Sequence, residues 1–173
     1  YNPIIYSPSY SKEKDINVVL ISIDTLRPDH LSCYGYPRKT SPSIDQLAKD
    51  GLMFLNCYST TSWTLPAHIS LLTSLNSVHH RVYFPKQIMD KELITLSDIL
   101  RNHNFLCAAF TGGGYLSARY GFAKGFDMYN EIIRRIPLRY NEAEMLFENV
   151  SSWITQNRDK NFFLFLHTYQ VHN

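Results

Sequence analysis

At 173 residues, 45% of them apolar and with 12 Tyr and 10 Phe, the chain has the material for one ordinary domain with a buried core, which excludes global disorder. Its 17 Lys and Arg against 15 Asp and Glu leave a formal charge of +2 with no long basic run, which argues against a nucleic-acid surface. No apolar run approaches the ~20 residues of a membrane-spanning helix, and no charged, then apolar, then small-residue leader pattern opens the chain, which begins at Tyr1 rather than Met.

Residues 1–15 are rich in Pro, Ser and Tyr, then charged, and read as an arm. Residues 15–23 form an apolar run expected to be a central parallel strand, buried on both faces. Thr40-Ser41-Pro42 opens a helix over residues 43–50, with Pro in its first turn and Gly51 just past its end. Residues 53–58 read as a second strand, and a helix is expected from about Ala67 to Thr73. Thr95-Leu96-Ser97-Asp98 resembles a capping box opening a helix to about Asn102. Residues 105–110 read as a third strand. Residues 139–156 carry Ala143, Leu146, Phe147, Val150 and Ile154 at a helical period. The cation-rich run before them, residues 132–139, reads as a solvated segment. Residues 162–166 are expected to be a fourth buried strand.

This alternation predicts an α/β domain over residues 16–173, with a mostly parallel sheet flanked by helices. Asp24, the Thr64 loop, the Thr111-Gly112-Gly113-Gly114 turn and the His167/His172 segment each follow a predicted strand. They should therefore meet at the carboxyl edge of the sheet, where sites of open parallel sheets lie.

Each of these residues has a chemical reading and a plainer one. Asp24 is a ligand for a hard metal ion, or it caps the turn that follows its strand. Thr64 stands just before Pro66 at a helix start, where free N–H groups and the positive end of the helix dipole suit an anionic sulfuryl or phosphoryl group. Near a metal its hydroxyl can become a nucleophile; the plainer reading is an N-cap threonine. His68, four residues on, can orient that hydroxyl or contact the anion, or it is simply packed. The Gly-rich turn is an anion cradle or an ordinary loop. His167 or His172 can serve as a general acid, whereas two histidines without a third ligand make a weak zinc pattern. Cys33, Cys57 and Cys107 are odd in number, lack metal spacing, and read as buried free thiols.

Taken together, residues 18–31, Cys33-Tyr34-Gly35-Tyr36, residues 40–48, 63–73, 121–127 and 162–167 resemble the N-terminal half of a sulfatase of the alkaline-phosphatase superfamily. The resemblance spans nearly everything after the arm. It implies an alkaline-phosphatase-like fold and metal-dependent hydrolysis of sulfate esters on a small molecule or glycan. It implies that Asp24 is the first metal-binding Asp, with Thr64 as a further ligand, Thr64 the nucleophile, and His172 the acid for the leaving alcohol. It also implies a divalent ion, Ca²⁺ by family, with Zn²⁺ or Mn²⁺ as alternatives.

The departures from the family pattern carry chemistry of their own. Thr25 stands where many sulfatases have a second metal-binding Asp, and His68 replaces the motif's Arg. Thr64 occupies the place of the Cys or Ser that sulfatases oxidise to formylglycine, and it has no such route. Cys57 is no substitute, because Ser59 lies where the motif needs Pro. Gly113-Gly114-Tyr115-Leu116 replaces the usual Lys and His. The chain ends at Asn173, before the family's second carboxylate cluster and late Lys, and so reads as truncated and inactive by itself. A threonine sulfate cannot collapse to an aldehyde; water must attack sulfur or phosphorus. Two alternatives therefore stand beside the sulfatase: a phosphodiesterase or phosphonate monoester hydrolase of the same superfamily, and a non-catalytic sulfatase-like binding domain.

Overall fold

A computed structural model describes residues 16–132 and 142–172, the side chain of Glu142 excepted. The arm, the run before the last helix and Asn173 lie outside the described residues. Four strands, β1 (Val18–Ile23), β2 (Leu106–Thr111), β3 (Met128–Glu131) and β4 (Phe162–Thr168), form one sheet in the order β1-β4-β2-β3. Every pairing is parallel, with Leu20 opposite Phe165, Ala109 opposite Phe165 and Ala109 opposite Tyr129. The helices are α1 (Pro42–Asp50), α2 (Thr64–Thr73), α3 (Ser77–His80), α4 (Leu96–Asn102) and α5 (Glu142–Gln156).

Alternation along β4 builds two cores. Phe163 and Phe165 face one side and meet Leu65, Ile69 and Leu72 of α2. Phe162, Leu164 and Leu166 face the other and meet Leu146 and Val150 of α5. The sheet is thus a middle layer between helices, and burial of these large side chains is the main stabilising term. The same alternation places Val18 and Leu20 on the α2 side, and with them Ser22 and Asp24.

Several expectations need correction. Strand β1 occupies an edge of the described sheet rather than its centre, and Val19 and Ile21 on its outer face are 48% and 53% exposed. Residues 53–58 form no strand and do not join the described sheet, and Leu55 and Tyr58 stand in solvent. The short β3, with Asn130 and Glu131 in it, carried no apolar signal and was not expected. Of the three thiols only Cys107 is buried, whereas Cys57 is exposed. The capping box is as expected: the Asp98 N–H donates to Thr95 Oγ1 at 3.1 Å, and the Thr95 N–H donates to Asp98 Oδ2 at 2.9 Å.

Candidate active site

Helix α2 begins at Thr64 rather than near Ala67, with Trp63 as an extended N-cap that makes no side-chain cap. Thr64 is therefore the first helical residue and not the capping one. Its N–H and that of Leu65 lie in the first turn, where no intrahelical acceptor exists, and Pro66 has no N–H to offer. The hydroxyl is used elsewhere: Thr64 Oγ1 donates to Asp24 Oδ2 at 2.8 Å. A residue at a strand end and one at a helix start, 40 positions apart, thus meet at the carboxyl edge of the sheet.

Asp24 extends the β1–β4 ladder, its N–H donating to the Thr168 carbonyl at 3.0 Å, and its side chain is 8% exposed. Directly after it Thr25 has φ of 58°, a left-handed conformation that costs a β-branched residue energy. The chain turns away sharply there, leaving the carboxylate at the edge. The same oxygen, Asp24 Oδ2, faces His167 Nε2 at 3.4 Å. A carboxylate only accepts, so Nε2 carries the proton and Nδ1 does not. That Nδ1 is buried without a hydrogen-bond partner.

His167 is fully buried on the α2 face of β4, so it supports Asp24 from below and does not reach a substrate. His68 is also turned inward. Its Nδ1–H donates to the Thr64 carbonyl at 2.8 Å, and its Nε2 stands 2.8 Å from Ser22 Oγ. The ring clamps the first turn of α2 onto β1. Burial pushes the pKa of His68 below the ordinary histidine value. His167 is lowered too, first by burial and then by His68, whose ring centroid is 5.1 Å away. Both rings are neutral at pH 7, so Nε2 of His68 accepts from the Ser22 hydroxyl.

Above this layer opens a cleft of about 560 Å³, lined by Thr64, Trp63, the Gly112–Gly114 turn, Tyr115, Arg119 and His172 among others. Gly113 and Gly114 have φ of 66° and 61°, which only glycine adopts without strain. A Cβ on Gly114 would lie 3.1 Å from the Tyr169 hydroxyl, and that oxygen accepts the Tyr115 N–H at 3.2 Å. The turn is therefore moulded around Tyr169, whose ring also stands edge-on to His167 at 4.5 Å and to His172 at 5.7 Å.

Of the sequence candidates, Asp24, Thr64 and His172 come together at or beside the cleft. His68 and His167 lie beneath it. Ser22, Tyr169 and Arg119 were not singled out. Ser22 carried a readable signal, a polar residue two positions before Asp24 in an apolar strand; Tyr169 and Arg119 carried none.

The sulfatase family profile matches residues 16–173. The chain belongs to the sulfatase family. Human arylsulfatase A is 42% identical over 67 residues, which are 39% of this chain and 13% of that sulfatase. The fold is shared with the phosphonate monoester hydrolase of Agrobacterium radiobacter, at a TM-score of 0.76 and 21% identity over 91% of this chain and 41% of that one. It is shared as well with a protein solved with its substrate D-glucosamine-2-N,6-O-disulfate, at a TM-score of 0.80 and 17% identity over 92% and 35% of the two chains. This sulfatase-family chain thus spans well under half the length of these relatives.

Among the described residues no group of three or more His, Cys, Asp and Glu side chains is placed to hold a metal ion. A Ca²⁺ ion takes about six to eight oxygen ligands. One carboxylate from Asp24 and one hydroxyl from Thr64 begin such a shell and do not complete it. The described donor set alone therefore does not fit the ion that the resemblance implies.

Proposed function

We infer that this chain carries the nucleophile half of a sulfate-ester hydrolase site, with Thr64 as the attacking group. The observation that carries the reading is the 2.8 Å hydrogen bond to Asp24 Oδ2 from Thr64 Oγ1, whose residue lines the cleft. A carboxylate accepting the hydroxyl proton leaves the oxygen lone pairs for attack, and the amides of the first turn of α2 face the incoming anion.

Thr64 Oγ1 bonds to sulfur as the ester S–O bond breaks, and its proton moves along the hydrogen bond to Asp24. The leaving alkoxide takes a proton from His172, which lines the same cleft. Water then attacks sulfur and gives a proton to His172 as the bond from sulfur to Thr64 Oγ1 breaks; the proton held by Asp24 returns to Thr64 Oγ1, and hydrogen sulfate leaves. His68 and Ser22 hold α2 against β1 so that Thr64 stays over Asp24. Because the described donors do not complete a metal shell, no step here passes through one.

A phosphate or phosphonate monoester is the second reading. It is favoured by the threonine itself, since release of the group from an unmodified hydroxyl needs water attack, a chemistry open to phosphorus as to sulfur. Turnover of aryl sulfate, aryl phosphate and aryl phosphonate esters by the full-length protein, with Thr64→Ala and Thr64→Ser beside it, decides between them. Thr64→Ala should abolish turnover at unchanged fold; loss of one hydrogen bond to a carboxylate costs about 1.5–3 kcal/mol, less than the stability of an ordinary domain. Turnover surviving in Thr64→Ala would refute the assignment.

A further inference from the structure

We propose that Arg119 is a specificity-determining residue that reads a second anionic group on the substrate, carried by the ring of the leaving alcohol. The proposal rests on the hydrolase reading above and names the substrate class of the same cleft: a sulfated sugar bearing a further sulfate or carboxylate.

Trp63 and Tyr115 line the cleft beside Thr64, and the buried Tyr120 stands behind Tyr115. Trp63, next to Thr64 in the chain, meets Tyr115 edge-on at 5.3 Å. Tyr115 is followed by Tyr120 at 6.0 Å. The Arg119 guanidinium lies over the Tyr120 ring, 4.7 Å from its centroid. Two ring-to-ring steps thus separate the residue beside the nucleophile from the ring that carries the cation. Arg119 lines the same cleft as Thr64 and is anchored on the Tyr120 ring rather than on the first turn of α2. A cleft of about 560 Å³ is far larger than one sulfuryl group and suits a sugar-sized ligand. Trp63 and Tyr115 supply apolar aromatic surface to its lining, suited to the ring between two anions.

The cation is held in place and, among the described residues, is not neutralised. One guanidinium N–H donates to the Tyr120 hydroxyl at 2.9 Å, which fixes the plane, and Tyr120 is itself buried. Among the described residues no carboxylate pairs with Arg119. The acidic residue lining the cleft, Glu131, is held by the loop instead, its Oε1 accepting the Ala118 N–H at 2.7 Å. Arginine has five donors in a rigid fork that matches sulfate and carboxylate oxygens pairwise, and one bond to a phenol leaves most of them for a ligand.

The test uses full-length Thr64→Ala protein, so that binding is read without turnover. Calorimetry is run with a monosulfated hexosamine, a disulfated hexosamine and a monosulfated uronic acid, in Thr64→Ala alone and with Arg119→Gln or Arg119→Lys added. With Arg119 present, the two dianions should bind at least about tenfold tighter than the monoanion. Arg119→Gln should bring that ratio near one, and Arg119→Lys should keep part of it. The disulfate and uronate arms tell which anion is preferred. A ratio unchanged by Arg119→Gln, equal loss for all three ligands, or no binding of any of them would overturn the proposal. Failure of the nucleophile reading is distinguishable, because it appears as turnover retained by Thr64→Ala and leaves the binding ratios to be read as they stand.

Discussion

Strands β1 and β4 are neighbours of similar apolar composition, and each delivers one member of the site, yet they are built differently. In β4, flanked by β1 and β2, the residues from Phe162 to His167 are all buried, because α2 covers one face and α5 the other. In β1 only the face toward α2 is covered, and Val19 and Ile21 stand open. Place in the sheet, rather than composition, decides burial. The polar residues obey the same rule. His167 at the buried strand becomes a support with no substrate access, whereas Asp24, one step past the end of the edge strand, stays within reach of Thr64 and the cleft.

This contrast can be broken from either side. The largest effect belongs to β4: Phe163→Ala removes a fully buried ring stacked on Phe126 at 5.7 Å and should cost about 3–5 kcal/mol in urea unfolding. A cost below about 1 kcal/mol would mean that the β4 core is not the stabilising centre.

A smaller effect should come from the neutral histidines beneath the site. Their pKa values are lower folded than unfolded. Their contribution is whole above the ordinary value of about 6.5, and it is lost as pH falls from there toward the depressed folded values, because the unfolded chain binds protons that the folded chain refuses. The urea midpoint should drop between about pH 7.5 and about pH 5, and His167→Gln should flatten that slope. A slope the same in His167→Gln as in the native chain would show that the ring is not held neutral. The smallest effect belongs to the open face of β1: Val19→Thr should change stability by less than about 0.5 kcal/mol, and a large loss would mean that this face is covered.

Much of the site was readable because strand ends and helix starts are local signals. The apolar run ending at Asp24 and the Thr64-Leu65-Pro66 start each place a polar group at an element boundary, and the parallel topology brings both to one edge. The Thr95–Asp98 box was readable for the same reason. What failed depended on partners distant in sequence. Residues 53–58 have the composition of a strand and yet do not join the described sheet. His68 sits four residues from Thr64, yet its direction is set by Ser22 on another element. Tyr169 shapes the glycine turn from 55 positions beyond Gly114, a contact that spacing does not reveal. The order β1-β4-β2-β3 is likewise a property of packing and not of any single run.

The central claim is that Thr64 is the group that accepts the sulfuryl or phosphoryl moiety. Rapid quenching of the full-length protein with a labelled aryl sulfate or aryl phosphonate, followed by peptide mapping, tests it directly. The account predicts label on Thr64 and none in Thr64→Ala, with product formation lost in step. Turnover without label on Thr64, persisting in Thr64→Ala, would contradict it.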